Sequence, residues 1–271
     1  MISIVVVYNN ERLLDKFLLK SLKNQTIDYE LIPVDNTKNR FKSAAQASNY
    51  GARKAKGKYI MFVHQDVELG SNSWLEQTEK KLDEIPDLGI AGAAGMSERG
   101  RNNMERGRGY VIHGDGVWRW SNPVKKPEKV QTLDELLLIV PRSVFSKMQF
   151  DEETFDGWHC YGADYCLSVK QMGLSAYVLP VLVYHRTLGL WNVENVFEYQ
   201  KRLYIKHQKA IYTTTGELSP LKLKLRSLIG KLFNPFCKKL FYLSWNYLTR
   251  QTERLKGQSP HRTSKLAEES K

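Results

Sequence analysis

A chain of 271 residues, 42% hydrophobic and 26% charged, has the composition of an ordinary globular protein and is long enough for one large α/β domain with attachments or two small domains. Its three cysteines, Cys160, Cys166 and Cys237, show no CxxC or Cys/His zinc spacing, and an odd count fits no closed disulfide framework, so reduced thiols in a cytosolic protein are the simplest reading. The net charge of +12 is confined to one end: residues 201–271 hold 16 Lys and Arg against 4 Asp and Glu, while the first 200 hold 25 of each, so an electroneutral body with a basic attachment is expected and a uniformly basic nucleic-acid binder is not.

Ile2–Val7 is a β-branched run that reads as a buried first strand; without a basic n-region or a long h-region it does not read as a signal peptide. No uncharged apolar run approaches the roughly 18–20 residues of a transmembrane helix. After Tyr8-Asn9-Asn10-Glu11, the residues Leu13, Leu14, Phe17, Leu18 and Leu22 fall at helical spacing. Tyr29–Val34 is a second strand ending at Asp35-Asn36-Thr37, Ser43–Ala55 a helix stopped at Gly57, and Tyr59–Val63 a third strand. The order β-α-β-α-β within about 65 residues predicts a parallel sheet with right-handed crossovers, gathering Tyr8, Asp35 and Asp66 along one edge. Ser73–Ile85 reads as a helix, Gly89–Gly95 as a small-residue strand and Ser97–Arg108 as a Gly-, Arg- and Asn-rich loop. Tyr110–Val117 and Trp118–Trp120 are strand pieces, Val130–Val140 is an apolar run carrying Asp134 and Glu135, and Ser143–Met148 is a short helix. The aromatic turn Phe155–Asp164 leads into a helix ending at Gly173, and Ala176–Val183 is a strand ending at Tyr184-His185. Beyond about residue 190 the periodicity is helical.

Tyr59–Glu68 is the stretch richest in chemistry, an apolar strand running into Asp66 and Glu68. Ligands in open α/β sheets sit outside the carboxyl ends of the strands. Asp66 there could hold a divalent cation that binds substrate phosphates, with Glu68 as a further ligand or helper and His185, at another strand end, as a third ligand; a core strand with a solvated turn, and a histidine bonded to backbone, are the plain alternatives. Asp164, at a helix start, could take a proton from a hydroxyl or simply cap the helix. Trp158, His159 and Tyr161 could form a sugar-stacking wall or lie in the core. Asp35 could accept an imide N–H of a nucleobase or only shape its turn. There is no GxGxxG and no GxxxxGK[ST], so phosphate would rely on a metal and on loop cations such as Arg99, Arg101, Arg106 and Arg108.

These stretches, in this order, resemble the family 2 type of GT-A glycosyltransferases, especially bacterial polysaccharide and rhamnosyltransferase-like members. Ser3–Asn9 resembles the opening strand, Val34-Asp35-Asn36 the nucleotide-reading strand end, Asn49-Tyr50-Gly51 through Asp66 the segment leading into DxD, and Phe155–Asp164, Gly173 and Pro180 to His185 the acceptor-side half, over about residues 2–187. The resemblance implies a Rossmann-like, mostly parallel sheet flanked by helices, with Tyr8, Asn10, Asp35 and Asn49 binding the donor nucleotide. Asp66 and His185 would hold Mg²⁺ or Mn²⁺, with Glu68 and His64 nearby; Asp134, Trp158, His159 and Tyr161 would contact substrate; and Asp164 would be the base. Two departures stand out: His64 replaces the first DxD acid, and Ala163 precedes Asp164 where many relatives have Glu.

The function this implies is inverting transfer of a hexose or deoxyhexose from a nucleotide sugar to a glycan or lipid-linked acceptor in cell-surface polysaccharide synthesis. A sugar-phosphate nucleotidyltransferase and a non-catalytic membrane-surface module are the alternatives, and no nucleic-acid partner is expected. Residues 1–200 would be catalytic and 257–271 a disordered tail. In 201–256, Leu221–Leu255 mixes Lys and Arg with Leu, Phe, Trp and Tyr, as an amphipathic segment at an anionic membrane does or as a helical pair packed on the body does. The expected location is cytoplasmic, peripheral on the inner face of the plasma membrane.

Overall fold

In the computed structural model, which describes residues 1–114, 118–186 and 193–219, fifteen short strands and eight α-helical segments follow one another from Ile2 to Leu218. The described residues all fall within one compact unit, Met1–Pro220. The expected amphipathic segment 221–255 and the tail 257–271 lie outside the described residues, and among those described no helix is long and apolar enough to cross a membrane.

The first half follows the β-α-β-α-β reading. Strand β1 (Ile2–Tyr8) leads into helix α1 (Glu11–Leu14), a π turn (Asp15–Leu19) and helix α2 (Lys20–Leu22). Strand β2 (Tyr29–Asp35), helix α3 (Ala44–Ala52) and strand β3 (Tyr59–His64) complete it. Ser43 caps α3 by accepting the Gln46 N–H, which satisfies one of the orphan donors of a helix start. Gly51 lets α3 lie against the sheet, because a Cβ there would come 2.5 Å from Val5 Cγ1. Strand β4 (Val67–Leu69) and helix α4 (Trp74–Asp83) follow.

Two expected single strands are each divided between two sheets. Gly89–Gly95 becomes β5 (Leu88–Gly92) and β6 (Ala94–Met96). Ahead of Leu182 the chain does the same around Pro180, which has no N–H to continue a ladder. Between them lie helix α5 (Asn103–Arg106), inside the expected loop, and strands β7 (Gly107–His113), β8 (Trp118–Asn122), β9 (Glu128–Val130), β10 (Thr132–Leu133) and β11 (Leu137–Pro141). Helix α6 (Arg142–Phe145), helix α7 (Tyr161–Val169), β12 (Ser175–Val178), β13 (Leu182–His185) and helix α8 (Val193–His207) come next. Gly173 ends the α7 region at φ 76° as the sequence suggests. A hairpin, β14 (Ile211–Thr213) with β15 (Gly216–Leu218), stands where helix was expected.

The large sheet has the order β2-β1-β3-β11-β5-β12-β9, and the second β10-β6-β7-β13-β4 with β8 beside β7. The large sheet is mixed rather than mostly parallel. β2, β1 and β3 are parallel, but β11 runs antiparallel to both β3 and β5. Ile4, Val6, Met61, Val63, Leu137 and Ile139 on the central strands, with Leu14, Leu18, Leu75 and Leu82 from the covering helices, are buried in one core.

Candidate active site

Parallel register sets the first corner. Tyr8 pairs with Asp35 and Val7 with His64, so three strand ends lie side by side. Gln65 ties β1 to β3: its Oε1 accepts the Asn9 and Asn10 N–H groups at 3.0 and 2.9 Å, and its Nε2 donates to Asn9 Oδ1 at 2.8 Å. Asp35 is exposed, and its carboxylate accepts the Thr37 N–H at 2.7 Å; that bond and the Lys38 charge hold it below the usual carboxylate range. Tyr8 is half-buried, and burial together with Asp35 and Glu11 keeps its phenol protonated. Asn10 caps α1 by accepting the Leu13 N–H at 3.2 Å and remains exposed.

Asn49 departs from its expected place. It is 1% exposed; its Nδ2 donates to Phe150 O and Glu152 Oε1, and its Oδ1 accepts the Phe150 N–H. With both amide atoms engaged inside the fold, it latches the 150s segment to α3 and presents nothing to a donor.

A cluster of histidines sits beside this corner. Antiparallel pairing of β4 with β13 sets His185 opposite Val67, and Arg186 N–H donates to Asp66 O at 2.9 Å. That register brings ligand atoms of His64, Asp66 and His185 within 4.8 Å of one another. His185 Nε2 lies 3.4 Å from Asp66 Oδ2. Parallel pairing of β13 with β7 sets His185 beside His113, with their Nδ1 atoms 3.2 Å apart, so one ring must donate and the other accept. Burial, then His185, holds His113 below the ordinary histidine value, at about 4, whereas His64 stands at the exposed end of β3. Burial also opposes protonation of His185, but the bond and charge of Asp66, with Asp134, outweigh it and raise its value.

Two imidazoles and one carboxylate form a donor set that suits a divalent transition ion and leaves positions open. Ligands about 2.1 Å from a common ion sit about 3 Å apart when adjacent, so small rotations close this triangle. Glu68 does not join it. Its carboxylate pairs with Arg186 at 2.7 and 2.6 Å, across the β4–β13 ladder.

The aromatic turn ahead of α7 is pinned from both ends. The Gly157 carbonyl accepts the Ala44 N–H at 2.9 Å, and a Cβ on Gly157 would fall 2.1 Å from Tyr199 Oη. Asp156 accepts from Tyr199 and Arg202 of α8 at 3.0 and 2.7 Å. Trp158 is 45% exposed and His159 half-buried, its ring 6.4 Å from that of Tyr199. Tyr161 is instead a core residue, 5% exposed and packed edge-on to Phe150 at 5.0 Å, so it offers no face to a sugar.

Asp164 also departs from the expected role. It is 3% exposed, Oδ1 lies 2.7 Å from His207 Nε2, and Oδ2 accepts from Lys206 Nζ at 2.9 Å. Both oxygens are engaged by α8, so Asp164 clamps α7 to α8 and does not stand open to a hydroxyl. Asp134 is half-buried; its Oδ1 accepts the Leu136 N–H at 3.1 Å, and its charge reaches His64, His113 and His185. Sequence reasoning passed over His113, His207, Lys206 and Glu135 as site residues. Only Glu135 carried a local signal, as the second of two acids in an apolar run.

A glycosyltransferase-like family matches residues 3–214. Among curated proteins, the product described as ATP synthase subunits region ORF 6 of Fuscovulum blasticum is 30% identical over 138 residues, 49% of this chain and 53% of that protein, so the match spans about half the length of that relative. GalNAc-T7, solved with UDP, GalNAc and Mn²⁺, superimposes with a TM-score of 0.53 at 14% identity, over 76% of this chain and 47% of that one. The mannosyltransferase PcManGT of Pyrobaculum calidifontis, solved with GDP-Man and Mn²⁺, gives 0.49 at 14% identity, over 76% and 61%. At such identity a structural likeness speaks to fold alone, and the fold is GT-A. With the family match extending over most of its length, the chain belongs to the glycosyltransferase-like family.

Proposed function

We propose that this chain transfers a sugar, with inversion, from a nucleoside-diphosphate sugar to a hydroxyl of a glycan or lipid-linked acceptor in cell-surface polysaccharide synthesis. The observation that carries the reading is the meeting of His64, Asp66 and His185 at the end of β3, beside the strand ends that bear Tyr8 and Asp35. In an open α/β sheet that edge is where ligands bind.

The residues divide the work. Asp35, ionised and exposed, accepts N–H groups of the donor base, and the neutral phenol of Tyr8 packs beside it. A divalent ion, Mg²⁺ or Mn²⁺, held by His64, Asp66 and His185 supplies positive charge to a departing diphosphate. His113 fixes the ring of His185. Trp158 and His159 are assigned to the acceptor sugar, and Asp134, whose charge acts on the histidine cluster, to a further substrate contact. The basic stretch 221–255 is assigned to an anionic membrane surface on the cytoplasmic side, where a lipid-linked acceptor would be met.

The test is a thermal-shift screen with UDP-, GDP- and dTDP-sugars, with and without Mn²⁺ or Mg²⁺, followed by transfer assays with the donor found. One donor should raise Tm only when metal is present. Asp66→Ala should abolish that metal-dependent shift and lower transfer by about 10³-fold, the scale of a lost electrostatic stabiliser. If no donor shifts Tm, or Asp66→Ala leaves the shift intact, the reading fails.

A further inference from the structure

With Asp164 clamped, another group must receive the acceptor's proton if the transfer proposed above is correct. On that reading, we propose that Glu135 is the catalytic base, taking the proton from the acceptor hydroxyl as that oxygen attacks the sugar.

Glu135 lies in the turn 134–136, where the chain crosses from the second sheet to the first beside the end of β3. The turn is tied to both sheets: His64 N–H donates to Leu136 O at 3.0 Å and Asp134 N–H to Ala94 O at 2.9 Å. The charge of Asp134 is felt by the three histidines on one side and by Glu135 and Tyr161 on the other. Glu135 is therefore one residue from the metal corner. It also reaches the mouth of α7, where its Oε1 accepts the Gly162 N–H at 2.8 Å.

Residue 162 must be glycine for this contact. A Cβ there would come 2.9 Å from Glu135 Cγ and 2.8 Å from Leu138 Cδ1. Cys160, just ahead of the helix, is held at φ 67°, in the left-handed region that non-glycine residues rarely adopt. Such strain persists where the surroundings impose it, and it collects at active sites. The same segment carries exposed Trp158 and half-buried His159, and Glu135 itself retains some exposure. Among the described carboxyl groups next to this wall, Glu135 combines partial exposure with contact to the helix mouth.

The chemistry balances without any further reactant. The acceptor oxygen forms its bond to the anomeric carbon as the bond to the diphosphate oxygen breaks. The electron pair of that bond leaves with the nucleoside diphosphate, and the acceptor's proton passes to a Glu135 carboxylate oxygen, to be returned to water. Burial, and then the neighbouring Asp134, push Glu135 up to about 8 against the pull of the Gly162, Cys160 and Ala163 N–H groups. The other ionisable groups on which its charge acts, Cys160, Tyr161 and Cys166, are themselves pushed up by burial and stay neutral, and Asp134 is the charge that raises it. A base poised near the working pH is the most effective kind.

The experiment compares wild type with Glu135→Gln, which keeps an acceptor for the Gly162 N–H, and with Asp164→Asn, in the full chain with Mn²⁺ and the donor. Wild-type kcat should rise as pH rises through about 8, since the base must lose its proton. Glu135→Gln should lower kcat by roughly 10²–10⁴-fold, the range for a lost general base, flatten that rise, and leave the donor-induced Tm shift unchanged. Because the folded value lies above the unfolded one, the contribution of Glu135 to stability is full below about 4.3 and lost as pH rises through about 8. The wild type should therefore lose more stability than Glu135→Gln between pH 7 and 9. Asp164→Asn should lower Tm and keep the pH rise. A Glu135→Gln enzyme that binds donor and transfers sugar at the wild-type rate overturns this assignment alone. A wild-type chain that binds no nucleotide sugar overturns the function and the assignment together.

Discussion

The two halves of the site are built in different ways. On the side proposed for the donor, Tyr8, Asp35 and His64 stand in line because three consecutive strands run parallel and each ends where its neighbours end. On the side proposed for the acceptor, Glu135, Gly162, Asp164, Lys206 and His207 come from a turn and two helices that only tertiary contacts bring together. A half made by register tolerates the loss of one side chain, since the backbone ladder remains. A half made by side-chain clamps loses its shape with the clamp. Between them, His185 and His113 use strand register to serve the metal corner from the second sheet.

That difference can be tested by breaking each half separately. The largest effect on stability should come from Asp164→Asn, which removes the charge that buried His207 meets and leaves Lys206 to Asp151 alone; removing one partner of a buried pair costs about 3–5 kcal/mol, and the retained Lys206–Asp151 bond puts the loss near the lower end. Urea unfolding measures it, and a loss under about 1 kcal/mol would show that the clamp does not hold α7 to α8. Next is His113→Phe, which keeps a ring beside His185 but removes its hydrogen-bond partner. Removing such a partner of a metal-bound histidine lowers affinity about 10–100-fold, so calorimetric titration with Mn²⁺ should show a drop of that size with Tm of the metal-free protein nearly unchanged. The smallest is Asn49→Ala, which leaves the Phe150 N–H and C=O without their partner at a cost of about 1–3 kcal/mol. Its affinity for donor should match the wild type's, and a raised Kd for donor would return Asn49 to the donor side.

The first three strands, their parallel order and the edge they share follow from β-branched runs spaced by helical patterns, which are local features. Asp66 and His185 were also legible as strand-end residues. The splitting of Gly89–Gly95 and of the strand around Pro180 between two sheets was not, because a short apolar run carries no mark of which sheet receives it. Tyr161 and Trp158 show the same limit at the level of single residues. Three positions apart in one aromatic turn, one is buried against Phe150 and the other is 45% exposed, and nothing in the residue types separates them.

By itself the sequence determined that an α/β sheet forms, which strand ends carry polar groups, and that the body is electroneutral with its basic excess at one end, because these depend on periodicity and composition. Only the tertiary structure decided what each carboxyl group faces. Asp164 and Glu68 carry the same functional group as Asp66 and Glu135. The first two face cations, on α8 and just after β13, while Asp66 meets His64 and His185 and Glu135 accepts a backbone N–H at the start of α7. The reason is physical. A carboxylate's role is set by what faces it across the fold, and those partners lie tens to more than a hundred residues away in the chain.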